Sequence, residues 1–307
     1  MRLEFLRHWL RAVALALAFA HFSGCTSFNY TKADSPVALA SVPPMNPRPK
    51  VALVLGSGGP RGYAHIGVMR VLEEAGIPYD LIVGSSVGSL IGAFWANGYN
   101  ASDIDELSRQ GGPLTVFDFS VFADRGWIHG QRLQDFVNDR LRSPRIEAMP
   151  RKFIAVATRL SDKQPVFFLS GNAGVAVRAS SAVSQIISPV GIQGVEYEDG
   201  DESLPVAVSA ARQAGARFVI AVDVTAVPGT APAHTSAGRL EKEAKRRARI
   251  DPELKHADFV IHPDLGFSTL PTPAFFEQAR LSGEHAARRL LPSLQAAMKA
   301  ADLVTAQ

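Results

Sequence analysis

One cysteine in 307 residues, Cys25, leaves no partner for a disulfide within the chain, and the eight histidines form no Cys/His cluster at zinc-ligand spacing. Positive charge is also scarce. The formal net charge is +3, and Arg2, Arg7 and Arg11 set against Glu4 place two of those charges ahead of Cys25, so the remainder has little to offer a nucleic acid. Long apolar runs are missing as well: Ala12 to Ala20 is too short to span a bilayer stably. With 47% hydrophobic and 20% charged residues, the composition excludes general disorder and suits a globular chain.

What is present begins at the N-terminus. The basic MRLEFLRHWLR, the apolar AVALALAFA and then HFSGC read in order as a secretory signal. Ser23 and Gly24 before Cys25 resemble the bacterial lipobox, with Phe22 where Leu, Val or Ile is usual. Cleavage there would leave Cys25 as a lipid-bearing N-terminus; an uncleaved anchor or a buried free thiol is the alternative. Thr26, rather than Asp, is the pattern of lipoproteins sent on to an outer membrane, so the expected location is the cell envelope, lipid-anchored and facing the periplasm.

Pro36, Pro43, Pro44, Pro47 and Pro49 break the polar stretch that follows, where neither helix nor strand is expected to persist. The expected organisation is therefore a signal over 1–24, a Pro-rich tether over 25–50 and one domain over 51–307. Within that domain VALVLG, YDLIVG, FIAVAT, PVFFLS, RFVIAVDV and ADFVIHP read as strands, and helical patterns separate several of them. The expected fold is α/β: a single three-layer domain, a mostly parallel sheet with helices on both faces. The loop Ala226 to Gly238 follows a strand end, where it either borders a ligand crevice or simply connects two elements.

Two glycine-rich turns carry chemistry. G-x-S-x-G, Gly84 to Gly88, would arise by chance in a chain of this length roughly one time in ten. Its position where a strand must turn into a helix is more specific, because that geometry lifts a serine Oγ clear of the backbone beside helix N–H groups. Ser86 is thus either a nucleophile or a helix N-cap. The turn GSGGPRG, Gly56 to Gly62, lacks the Lys-Ser/Thr of a Walker A loop and fails the strict G-x-G-x-x-G spacing. Its backbone N–H groups suit a phosphate or, beside a serine nucleophile, an oxyanion, and Arg61 could add positive charge there. A serine needs a base. Ser86, Asp223 and His262 stand in the chain order of an α/β-hydrolase triad, whereas His65 reads as a packing residue.

These residues sit in a longer likeness. GSGGPRGYAHIGVMRVLEEAGIPYDLIVGSSVGSLIGAFWANGY, followed by GWIHGQRLQDFVNDRL, FIAVATRL, VAVRASSAVSQIISPV and EDGDESLPVAVSAARQAGARFVIAVDV, resembles the patatin-like phospholipases. The resemblance runs from about Val51 to the C-terminal helix. It implies a patatin-like fold and a serine paired with an aspartate in an Asp-Gly motif, without histidine. Carried onto this chain, the catalytic pair is Ser86 and Asp199, and the oxyanion turn is Gly58, Gly59, Arg61 and Gly62. No metal or cofactor is implied, and the expected substrate is a phospholipid or lysophospholipid in the membrane to which lipidated Cys25 would hold the protein. The chain departs from the family in two places: DGDESLPV is short and puts Asp201 where a second glycine is usual, and AVSQIIS lacks an Ile-Pro-Gly-like turn. With that change beside the base, Asp199 is the base, Asp201 substitutes for it, or the chain is a lipid-binding or envelope protein without turnover.

Arg239 to Ile250, RLEKEAKRRARI, reads as a solvated helix face; contact with anionic head groups is the alternative.

Overall fold

A computed structural model describes residues 29–110, 116–142, 145–267 and 271–303; Cys25 and the expected signal lie outside the described residues. The strands are β1 (Asn29–Tyr30), β2 (Ala38–Leu39), β3 (Val51–Leu55), β4 (Leu81–Ser85), β5 (Lys152–Arg159), β6 (Pro165–Phe168), β7 (Val190–Ile192), β8 (Val195–Asp199), β9 (Phe218–Val222) and β10 (Phe259–Ile261). The α-helices are α1 (Tyr63–Glu74), α2 (Val87–Ala96), α3 (Ala101–Gln110), α4 (Gln131–Leu141), α5 (Ala173–Ser180), α6 (Val208–Gln213), α7 (Ala237–Leu254) and α8 (Pro273–Ala300).

The order β10-β9-β3-β4-β5 forms a parallel centre. Its strands are continuous apolar runs because both faces are covered. In β3, Val51, Leu53 and Leu55 enter one apolar cluster while Ala52 and Val54 enter the other, as a period of two requires. The first cluster holds side chains of α1, α2, α5 and α8; the second holds α6 and Ile250 of α7. The fold is therefore three-layered α/β, with a mixed, mostly parallel sheet.

The flank beyond β5 is antiparallel except where β1 joins β7 in parallel, and of its strands the sequence offers only β6. At Val156 the two neighbours are Ser85 of β4 and Phe167 of β6; at Ala157 they are Asp199 of β8 and Val166 of β6. Since a strand has two edges and β6 occupies one of them from Ala155 to Thr158, β4 and β8 must share the other. They approach head to head along it, and their last residues, Ser85 and Asp199, stand opposite consecutive positions of β5.

The expected tether requires correction over 29–50. β1 pairs with β7 and β2 with β6, so strands do persist there. Tyr30 and Val42 are buried, the Val42 N–H donates to Gln213 Oε1 (2.9 Å), and the Met45 N–H donates to the Ala214 carbonyl (3.0 Å). The prolines rule out a long regular element, but two-residue strands fit between them.

Candidate active site

β4 ends at Ser85 and α2 starts at Val87, leaving Ser86 as the whole connection. Its φ of 55° and ψ of −126° put a non-glycine residue in the left-handed region, a conformation that persists only where packing enforces it. Packing does so here. A Cβ on Gly88 would lie 2.1 Å from the Leu55 carbonyl oxygen, so only glycine lets α2 start against the end of β3. The Ser86 N–H donates to Ser180 Oγ (3.0 Å), which in turn donates to the Val156 carbonyl (2.5 Å). The Ser86 hydroxyl makes no capping bond to α2. It donates instead to Asp199 Oδ2 at 2.7 Å, with Ser86 6% and Asp199 2% exposed.

Asp199 is held from several sides. Its N–H donates to the Ala182 carbonyl (3.0 Å), its carbonyl accepts from Thr158 Oγ1 (2.8 Å), and Oδ1 accepts from the Asp201 N–H (2.8 Å). The following residue has to be glycine, since a Cβ at Gly200 would meet both Ser85 Oγ and the Val156 carbonyl at 2.5 Å. Burial, reinforced by the neighbouring Asp201 carboxylate, pushes the Asp199 carboxyl up to about 7, against the hydrogen bonds from Asp201 and Ser86 and the charge of Arg246. A carboxylate so placed is a far stronger base than one in water.

The glycine turn leaves β3 beside Ser86 and closes as a 3-10 turn over Gly59–Gly62, with the side chain of Val87 packed where a Cβ on Gly62 would stand. Among the described residues, the N–H groups of Gly58 and Gly59 meet no acceptor, and Gly59 is exposed. Val224, just ahead of the loop 226–238, packs against Gly58, so that connection begins at the turn. Arg61, expected in the oxyanion set, is engaged elsewhere. Its N–H closes the turn onto the Gly58 carbonyl (3.2 Å), and its buried guanidinium donates to the carbonyls of Gly266 (3.0 Å) and Phe267 (2.7 Å). It secures the turn to the segment after β10. Burial, with Arg246 nearby, lowers its pKa to about 10. His65 is fully buried, with Nε2 2.8 Å from the Gly56 carbonyl, and burial lowers it to about 4; it is a neutral packing residue, as expected.

The structure does not assemble the alternative triad. Asp223 receives Arg247 Nη1 (2.7 Å) and Thr225 Oγ1 (2.7 Å), and His262 Nε2 lies 3.1 Å from the Thr225 carbonyl. Burial alone would raise Asp223, but His262, Arg247 and Thr225 together hold it below the ordinary carboxylate value. Asp201 does not replace Asp199 either, because its Oδ1 accepts from Arg246 Nε (2.7 Å) and from Ser57 Oγ. The stretch Arg239 to Ile250 is solvated on its outer side, but Arg246 and Ile250 are buried, which corrects the reading of the whole stretch as a solvated face. The sequence does not single out Ser180, Thr158, Ser57 or Arg246 as site residues, although each lies in a stretch quoted above: VAVRASSAVSQIISPV, FIAVATRL, GSGGPRG and RLEKEAKRRARI. Among the described residues, no group of three or more His, Cys, Asp or Glu is placed to hold a metal ion.

An uncharacterized NTE family protein of Mycobacterium bovis is 36% identical over 182 residues, which cover 57% of this chain and 49% of that protein. The lysophospholipase NTE1 of Scheffersomyces stipitis is 31% identical over 188 residues, 59% of this chain and 12% of its own length. The chain thus spans at most about half the length of these curated relatives. Among solved structures, VipD from Legionella pneumophila superposes with a TM-score of 0.49 at 14% identity, over 85% of this chain and 71% of that one. The profile described as patatin-like phospholipase matches residues 53–207, a span that holds Gly58, Ser86 and Asp199, and the chain belongs to that family.

Proposed function

We propose that the chain is a serine acyl-ester hydrolase of membrane lipids, of phospholipase A or lysophospholipase type, working through Ser86 and Asp199. The observation that carries this reading is the buried 2.7 Å hydrogen bond from Ser86 Oγ to Asp199 Oδ2 at the end of the parallel sheet. In the reaction, Ser86 Oγ attacks the ester carbonyl as its proton passes to Asp199 Oδ2. The oxyanion that forms is stabilised by the N–H groups of Gly58 and Gly59. Asp199 then protonates the departing alcohol, and water attacking the acyl-serine with Asp199 as base releases the fatty acid. The name of the NTE1 relative supports a lysophospholipid as substrate.

Labelling with a fluorophosphonate probe and ester turnover on phospholipid and lysophospholipid test the reading. Ser86→Ala should abolish both, and Asp199→Asn should lower turnover by about 10⁶-fold, the cost of removing the general base of a serine hydrolase. Turnover that survives both changes would refute the pair; tight liposome binding without turnover would point to the binding protein.

We further propose that residues 1–24 are a signal and that Cys25 is acylated, anchoring the enzyme in the envelope beside its substrate. The support is the sequence pattern alone. More than one acyl chain on that residue would hold firmly where one would not. Cys25→Ser should abolish palmitate incorporation and move the protein from the membrane to the soluble fraction.

A further inference from the structure

Asp201 stands where the family usually has a second glycine, and the structure gives it a defined set of partners. Ser57, in the glycine turn, donates through Oγ to Asp201 Oδ1. Arg246 of α7, 8% exposed, donates through Nε to the same oxygen (2.7 Å) and through Nη2 to Ser57 Oγ (2.9 Å). Arg249, one turn along α7, donates to the Asp201 carbonyl (3.1 Å). The Asp201 N–H donates to Asp199 Oδ1, whose other oxygen receives Ser86. A continuous chain of hydrogen bonds therefore runs from the residue before Gly58, through Asp201, to the base and the nucleophile. A glycine at 201 would break that chain.

We propose that Asp201 and Arg246 form a positioning clamp that holds the oxyanion turn and the Ser86-Asp199 pair in register, and whose two opposite charges act on Asp199 in opposite senses. The inference rests on the reaction proposed above. Asp201 and Arg246 need not touch substrate. Each acts through Asp199 and Ser57, and the physical basis is simple: a nearby negative charge favours the protonated form of a carboxyl and a nearby positive charge the ionised form. The other charged groups near the clamp are Arg61, Glu243, whose carboxylate is 3.9 Å from Arg246, Arg239 and Arg249. Each variant below leaves these in place, so the differences isolate the pair.

The clamp makes a prediction of sign. Asp201→Asn keeps the N–H to Asp199 and a polar partner for Ser57 but removes the negative charge, so the titration of Asp199 should fall. Arg246→Met leaves Asp201 uncompensated, so the same titration should rise. Each shift should be about one pH unit, in opposite directions, and the double variant should lie between them. Turnover in Arg246→Met should drop about 10-fold or more in kcat at optimal pH, with KM little changed, because misplaced groups cost rate rather than binding.

Two readouts are needed. The acidic limb of fluorophosphonate labelling follows Asp199 in the working enzyme. Carboxyl NMR of protein labelled with 13C-aspartate, assigned with Asp199→Asn, follows it without any turnover. Opposite shifts in both readouts support the clamp. Unchanged or same-direction shifts, in variants whose urea midpoints show them folded, overturn it. Should Arg246→Met fail to fold, Arg246→Lys, which keeps the charge and loses the two-pronged contact, should keep the titration but lose rate. Opposite NMR shifts in a protein that labels nowhere would retain the clamp and sink the hydrolase reading.

Discussion

Asp199 combines two demands that oppose each other. A carboxylate strong enough to draw a proton from serine has to be kept from water, and keeping it from water costs the fold whenever it is ionised. Its folded value, about 7, lies above the ordinary 3.8, so its contribution to stability is complete below about pH 4 and is lost as pH rises through 7. Two outcomes follow from that sign. The rate of fluorophosphonate labelling should rise with an acidic limb near 7 rather than near 4. Asp199→Asn should raise the urea midpoint relative to the parent at pH 8, and that gain should vanish by about pH 4. The neighbour Gly200 is equally constrained: Gly200→Ala forces a methyl against the Val156 carbonyl and Ser85 Oγ, and is expected to cost about 1–3 kcal/mol in denaturant unfolding. Because the backbone that must yield carries Asp199, labelling should slow as well.

Among the elements, α5 and α7 do the most to hold the site. The last residue of α5, Ser180, accepts the Ser86 N–H and donates its own hydroxyl to the Val156 carbonyl, tying the strained turn to β5. Ser180→Ala leaves a buried N–H without an acceptor, which costs about 1–3 kcal/mol, and the measurement that checks it is the urea midpoint at pH 7. Labelling should slow too, since the turn that presents Ser86 loses its anchor. On the other face of the sheet, α7 reaches loops after three strands. Arg246 contacts Ser57 after β3, Arg249 contacts Asp201 after β8, and Arg247 contacts Asp223 after β9. These contacts explain why a stretch with so many arginines is not a plain solvated face.

At the scale of the whole molecule, the parallel centre reverses strand order about β3: the chain proceeds to β4 and β5 on one side and returns through β9 and β10 on the other. Open parallel sheets bind ligands at the carboxyl ends of the strands beside such a reversal, and the glycine turn, Ser86 and Asp223 all follow strands there. The antiparallel flank supplies what a purely parallel sheet does not, a strand that arrives from the opposite direction with an aspartate at its tip. The N-terminal segment closes the far edge of that flank. Tyr30 is buried and donates to Asp34 Oδ1 (2.8 Å), and Tyr30→Ala should cost about 3 kcal/mol in urea unfolding. A mobile tether would show no change at all.

The local chemistry was legible in the chain. Continuous apolar runs marked the buried parallel strands, those of β3 and β4 ending in glycine, the strand-to-helix turn marked Ser86, and the likeness to a known family marked Asp199. These features depend on residues near one another in sequence, where backbone propensity and hydrophobic period act directly. What only the tertiary structure decided is which distant groups meet. Val190–Ile192 and Val195–Asp199 are short strands with a mixed pattern, and their pairing depends on β5 and β1 rather than on their own residues. Asp201 stood out as a possible substitute for the base and Arg246 as one more base in a basic helix; neither reading pairs the two, and folding brought them together. Two opposite charges far apart in the sequence carry no mark of each other; their pairing exists only where the packed layers exclude water and make it necessary.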